Sequence, residues 1–247
     1  MRLEKMTSQE VENYFKTNKI VIIPTGSIEC HGTHNVLGVD TLLAEKLADM
    51  ISQKSDVLIA TTLPYGACDN LSGYPGTISI GHDLFCRLVQ RVTDELTRHG
   101  ARRFIFLNGH GGNIAALNQV CINLHTNGML GAIMNWWMMA WELNPAWKGG
   151  HGGAQETSAM LALNPALVKM DLINEMGLEN DIEGFETVGF SNINFRGVSV
   201  PVPRIASSYA KNGWVGSDHP KNSTAEWGNE MLAACTEYIC AFVERFR

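Results

Sequence analysis

The sequence predicts an α/β fold in which a parallel sheet is covered by helices on both faces. Three observations carry this expectation. Short apolar runs rich in β-branched residues recur, each stopped by glycine or proline. Segments with helical spacing of apolar residues lie between them. At 247 residues, 45% hydrophobic and 18% charged, the chain can fill one core, and a single domain over 1–247 is the expected organisation.

In chain order, "NKIVIIPTGS" (Asn18 to Ser27) is a buried strand delivering the chain to the loop "GSIECHGTHNVLGVD". "DTLLAEKLADMISQ" is a helix with Leu42, Leu43, Leu47, Met50 and Ile51 on one face and Asp40 placed as its N-cap. "VLIATTLPYG" repeats the strand-to-loop pattern, and "SGYPGTISI" is another loop. The helix "HDLFCRLVQRVTDELTRHG" begins near His82 and ends at Gly100. "ARRFIFLNGHGGN" reads as strand and sharp turn, and "IAALNQVCINLHTNG" as a helix closing at Gly128. "AIMNWWMMAW" is a further strand candidate, and "WKGGHGGAQETSAMLAL" a loop passing into a helix at about Glu156. Residues 171–216 lack periodic signal and read as irregular cover or oligomer contact. "STAEWGNEMLAACTEYICAFVERFR" is the last helix, with the Ser223 to Glu226 spacing of a capping box.

The net charge of -6 is spread along the chain, and no basic cluster exceeds Arg102 with Arg103, which argues against a nucleic-acid surface. No apolar run is long enough to span a bilayer, and "MRLEKMTSQEVENYF" is too polar for a signal peptide, so a cytoplasmic protein without membrane contact is expected. The six cysteines show neither CxxC nor a framework spacing and are expected to be reduced. A small-molecule substrate is the class left.

Ligands on parallel sheets gather at the carboxyl ends of strands, where "GSIECHGTH" and "NGHGGN" lie. Glu29 and His31 are two apart and project to the same side of an extended segment. Asp40 follows at a helix start, and His110 and His151 sit in glycine-flanked turns. Such nitrogen and oxygen donors suit divalent zinc, manganese or iron, and an aspartate can bridge two ions. Taken singly, each group has a plainer reading: Asp40 as a cap, His110 as a solvated loop histidine, Glu29 with His31 as a polar rim. Convergence of all of them on one sheet edge is what favours a metal centre. Cys30 should face away from His31, and His34 is expected outside the ligand set. His99 and His125 suit helix C-termini. The tryptophans Trp136, Trp137, Trp141 and Trp147 are expected partly in the core, with Trp147 in a glycine-rich segment able to close over a ligand.

At these residues the sequence resembles the creatininase family. The elements are "GSIECHGTHNVLGVD", "YPGTIS", "RHGARRFIFLNGHGGN", "GGHGGAQETSAML" and "GWVGSDHPKNSTAEWG", in the family's order. The resemblance implies a three-layer α/β/α fold around a mainly parallel sheet, two divalent metal ions per subunit, and a homohexamer built as a trimer of dimers. It places Glu29 and His31 on different ions with Asp40 bridging, joins His110 to Glu29, makes His151 the general acid/base, and sets Trp137 and Trp147 beside the substrate. One departure stands out: where true creatininases carry a tyrosine and then an acidic ligand after the histidine of "NGH", this chain has Gly111 and Gly112. Glu156, a water, or a weaker second site are the alternatives. The "NGHGGN" form is similar to the branch of non-creatinine hydrolases.

The activity expected is therefore hydrolysis of a cyclic or formyl amide by a water that the ions activate. A second expectation keeps the site and opens a carbocyclic diketone such as a dehydro-inosose, with Cys68, Asp69 and Asn70 as polyol-compatible groups. A third, from another class, is a non-catalytic module holding a phosphate or sugar on the "NGHGGN" turn.

Overall fold

A computed structural model describes residues 1–247. After α1 (Ser8–Thr17) the chain enters β1 (Ile20–Thr25), then α2 (Val39–Ser52), β2 (Leu58–Ile59), α3 (Gly81–His99), β3 (Arg103–Asn108), α4 (Ile114–Thr126) and β4 (Leu130–Asn135). The four strands form one parallel sheet in the order β2-β1-β3-β4. The two central strands alternate strictly. Ile20, Ile22, Ile105 and Leu107 enter one buried cluster, whereas Val21, Ile23, Phe104 and Phe106 enter another. Both faces are thus apolar, which is why these strands read as continuous hydrophobic runs.

The first face is covered by α2, α5 (Trp136–Leu143), α6 (Ala154–Leu163) and α7 (Ala225–Phe246), through Leu43, Ala140, Met160 and Ile239 among others. The second is covered by α1, α3 and α4, through Phe15, Phe85, Val89 and Leu117. The result is the three-layer α/β/α arrangement. Each fully buried Ile or Leu in it contributes about 1.5–3 kcal/mol of apolar burial. No helix is long and apolar enough to cross a membrane, and all six cysteines are free.

Five local expectations are corrected. "AIMNWWMMAW" is a strand only to Asn135; Trp136 begins α5. A short apolar run does not distinguish strand from buried helix, and here Trp136 and Ala140, one turn apart, pack into the core. "VLIATTLPYG" pairs over only Leu58–Ile59, with one isolated bridge from Leu63 to Thr25. Asp40 is not the cap of α2, which starts at Val39 behind Gly38. The cap of α7 is Thr224, accepting from Trp227 N at 3.1 Å, while Ser223 turns inward to the carbonyls of Pro220 and Ala154. Residues 171–216 contain a three-stranded antiparallel sheet, β5 (Glu186–Val188), β6 (Asn192–Phe195) and β7 (Val198–Pro201), whose strands are too short to show a period.

Candidate metal centre

The carboxyl ends of β1, β3 and β4 are tied together by Asn108, the last residue of β3. Its Oδ1 accepts from Thr25 Oγ1 at 3.0 Å and from His110 N at 3.2 Å, and its Nδ2 donates to His110 O at 2.7 Å and Asn135 Oδ1 at 2.8 Å. Asn113 extends the tie, donating to Gly26 O and accepting from Ala67 N, both at 3.0 Å. These bonds hold the turn bearing His110 against the loop bearing Glu29. Neither asparagine figured among the sequence candidates, although both flank the glycines of "NGHGGN".

Glu29, His31, Asp40, His110 and Glu156 are all buried there. Asp40 divides its carboxylate: Oδ1 lies 3.0 Å from His31 Nε2 and Oδ2 3.0 Å from His110 Nδ1. Glu29 Oε2 is also 3.0 Å from His110 Nδ1, and Glu156 Oε2 is 3.6 Å from His31 Nε2. His151 Nδ1 stands 3.8 Å from Glu29 Oε1. Three overlapping sets result, Glu29–Asp40–His110, His31–Asp40–Glu156 and Glu29–His31–His151, with the atoms in each set within 4.8 Å of one another. All six sequence candidates for ligand or proton transfer therefore share one site.

Each histidine is fixed from behind by a backbone carbonyl. His31 Nδ1 donates to Glu29 O at 3.1 Å, His110 Nε2 to Ala67 O at 3.0 Å, and His151 Nε2 to Cys30 O at 2.7 Å. The opposite ring nitrogen of each then faces the site, the orientation that metal-binding imidazoles require. Ser27 Oγ donates to Glu29 Oε2 at 2.8 Å, and Gly152 N to Glu156 Oε2 at 2.7 Å. Cys30 points the other way, its sulfur beside the carbonyls of Gly32 and Gly213. His34 is buried against Thr157 Oγ1 at 3.1 Å, outside the three sets.

The electrostatics fit a cation. Three carboxylates are buried together, and the surrounding cavity has no lysine or arginine in its wall; such a group needs a compensating positive charge. Burial would push the His31 imidazole down, yet Asp40, Glu156 and Glu29 outweigh it and hold it up at about 10. His110 is likewise pushed down by burial but raised well above the ordinary range by Glu29 and Asp40. Burial raises Glu156 to about 7 against the pull of His31. His31 Nε2 and Asp40 Oδ2 nevertheless have no hydrogen-bond partner. Buried nitrogen and oxygen atoms left unpartnered this close together suit a divalent ion that takes the place of the His31 proton.

No side chain fits at Gly112, the position where the resemblance implies an acidic ligand. A Cβ there would stand 2.0 Å from Ala67 O and 2.5 Å from His110 Nε2, the two atoms whose bond orients His110. Gly112→Ala is expected to cost about 1–3 kcal/mol through overpacking and to lower Tm by about 2–12 °C. A thermal melt checks this; an unchanged Tm would mean that the turn adapts freely.

The centre opens into a cavity of about 430 Å³. Trp137 and Trp141, one turn apart on α5, line it with Leu71 and Phe190. Trp141 Nε1 donates to Gln155 Oε1 at 2.7 Å, and Gln155 Nε2 donates to Trp137 O at 3.1 Å. Trp147 is not in the cavity wall; it is half-buried against the larger core cluster. Of Cys68, Asp69 and Asn70, only Asn70 lines the cavity, while Asp69 is taken up by Ser79 Oγ at 2.7 Å.

Comparison with known proteins matches the sequence and the fold to one family. The family described as creatinine amidohydrolase matches residues 4–243. Creatinine amidohydrolase of Pseudomonas putida is 31% identical over 176 residues, 62% of this chain and 68% of that protein. The mycofactocin precursor peptide peptidase of Mycobacterium tuberculosis (strain CDC 1551 / Oshkosh) is 32% identical over 178 residues, 63% of this chain and 62% of that protein. Among solved structures, a manganese form of creatininase superposes with a TM-score of 0.77 and a mutant of Zn-Zn type with 0.76, each at 25% identity over 99% of this chain and 98% of the other. With the family matched over nearly the whole length and the fold shared end to end, the chain belongs to the creatininase family.

Proposed function

We propose that the single domain 1–247 is a metal-dependent hydrolase that cleaves the C–N bond of a cyclic amide or a formyl amide. The observation that carries this reading is the divided carboxylate of Asp40, one oxygen to His31 and one to His110, with Glu29 and Glu156 flanking them. Glu29, Asp40 and His110 would hold one ion and His31, Asp40 and Glu156 the other, with Glu156 standing in for the carboxylate that Gly112 excludes. Zinc, manganese and iron all accept this donor set. When bound, such ions supply Lewis acidity and a lowered water pKa.

His151 has the proton-transfer role. Burial, with His31 adding to it, holds this imidazole below its ordinary range, so it is neutral near pH 7. Its Nε2 proton is committed to Cys30 O, which leaves Nδ1 to take a proton and pass it to the departing nitrogen. Trp137, Trp141 and Phe190 bound the cavity. The wall offers no lysine or arginine to a phosphate, which weighs against a phosphate-binding module. By family resemblance the working assembly is a homohexamer.

The deciding experiment is a substrate panel of formamides, lactams and cyclic polyol ketones, run with metal-loaded and chelated protein. Metal-dependent release of amine or acid supports the reading; equal rates in both samples, or turnover of the polyol ketones alone, would sink it. Metal loading should also release protons, because a His31 held at about 10 is protonated at pH 8 and must lose that proton to bind an ion. Affinity is then expected to fall as pH falls. Calorimetric titration of metal-free protein with ZnCl2 in two buffers of different ionisation heat should give different apparent enthalpies; identical values would contradict proton release.

A further inference from the structure

We propose that Phe190, at the tip of the β5–β6 hairpin, sets the size of the acyl group the cavity accepts and shields His151 from bulk water. This rests on the metal-hydrolase reading above. Every other residue in the cavity wall comes from the first 156 positions, at the carboxyl edge of the sheet, on its loops, on α5 or at the start of α6; Phe190 alone is delivered by the small antiparallel sheet. Its ring lies 5.2 Å from that of His151 at an interplanar angle of 62°, an edge-to-face contact.

The tip is built to hold this side chain still. Val188 pairs with Asn192, leaving residues 189–191 to turn the chain, and the turn places both Gly189 (φ 61°) and Ser191 (φ 60°) in the left-handed region. For serine that backbone is disfavoured and needs support from its surroundings. The support is Tyr209, whose Oη accepts from Ser191 N at 3.0 Å and lies 3.2 Å from Ser191 Oγ. Tyr209 is fully buried, with the Arg204 guanidinium 4.2 Å over its ring. Phe190 packs on the cluster formed by Tyr209, Leu71, Ala206, Ala210 and Val215, and Leu71 of that cluster also lines the cavity. Phe190 is thus a fixed wall beside the proton-transferring histidine, and Tyr209 is the positioning residue behind it. A bulky acyl substituent meets this ring, whereas a formyl or small ring carbonyl does not.

The test uses zinc-loaded full-length protein and two probes that bind divalent ions without turnover, acetohydroxamate and benzohydroxamate. Phe190→Ala should improve benzohydroxamate affinity relative to acetohydroxamate by about 10-fold or more, the scale on which pocket volume discriminates ligands. It should also speed carbethoxylation of His151 several-fold, read by peptide mass spectrometry. Phe190→Leu should restore most of the wild-type ratio, and Tyr209→Phe should shift both readouts part of the way. An unchanged ratio together with unchanged His151 modification in a natively folded Phe190→Ala protein would overturn the proposal. If wild-type protein binds neither hydroxamate, the metal reading itself fails, and the His151 modification rates decide whether Phe190 shields that residue.

Discussion

His151→Ala is expected to lower kcat by about 10²–10⁴-fold, the usual contribution of a positioned general acid/base, while the purified protein keeps its metal. The expectation rests on how differently the three imidazoles are treated. His31 and His110 each approach Asp40 at 3.0 Å, amid carboxylates that favour a cation. His151 is 3.8 Å from its nearest carboxylate oxygen and is kept neutral by burial and by His31. A neutral imidazole with one nitrogen committed to Cys30 O can accept a proton at the other. Metal analysis beside steady-state kinetics separates the outcomes. Parallel loss of metal and turnover would reassign His151 as a ligand, and retained turnover would remove it from proton transfer.

Glu29→Gln and His110→Ala are expected to abolish metal binding and activity together. Loss of an outer-shell partner alone typically costs about 10–100-fold in metal affinity or activity, and removing a ligand should cost more. Glu29 is oriented by Ser27 Oγ and faces His110, so its amide counterpart keeps the shape and loses the charge. Ser27→Ala, which deletes only that support, serves as the milder control, within the 10–100-fold range. Elemental analysis after zinc supplementation reads the effect directly. Full metal content in either ligand variant would refute the assignment.

The legibility of the fold varied with segment length. β1 and β3 are short β-branched or aromatic runs ended by proline or glycine, and α3 has apolar residues at helical spacing over five turns, so local sequence was sufficient. Residues 186–201 were opaque because each strand is only three or four residues long. Continuous hydrophobicity in "WWMMAW" suits either element; burial of Trp136 beside Ala140 resolves it as helix. Glu29 and His31 were visible as a pair from their spacing of two. Asp40 is legible as a ligand candidate beside its plainer reading as a cap, since acidic residues at helix starts also serve the helix. Asn108 and Asn113 carry no local signal because they hydrogen-bond segments distant in sequence.

By itself, the sequence determined the alternation of strands and helices from β1 to α4, the apolar runs that bury both faces of the sheet, and the chemical types of the candidate ligands. These properties depend on neighbours along the chain, where periods of 2 and 3.6 are written directly. Only the tertiary structure decided that Asp40 divides its oxygens between two histidines, that Trp141 and not Trp147 lines the cavity, and that Phe190 reaches His151 from a separate sheet. Each of these depends on the relative placement of elements far apart in sequence, which is set by core packing and strand register and not by the local pattern of either partner.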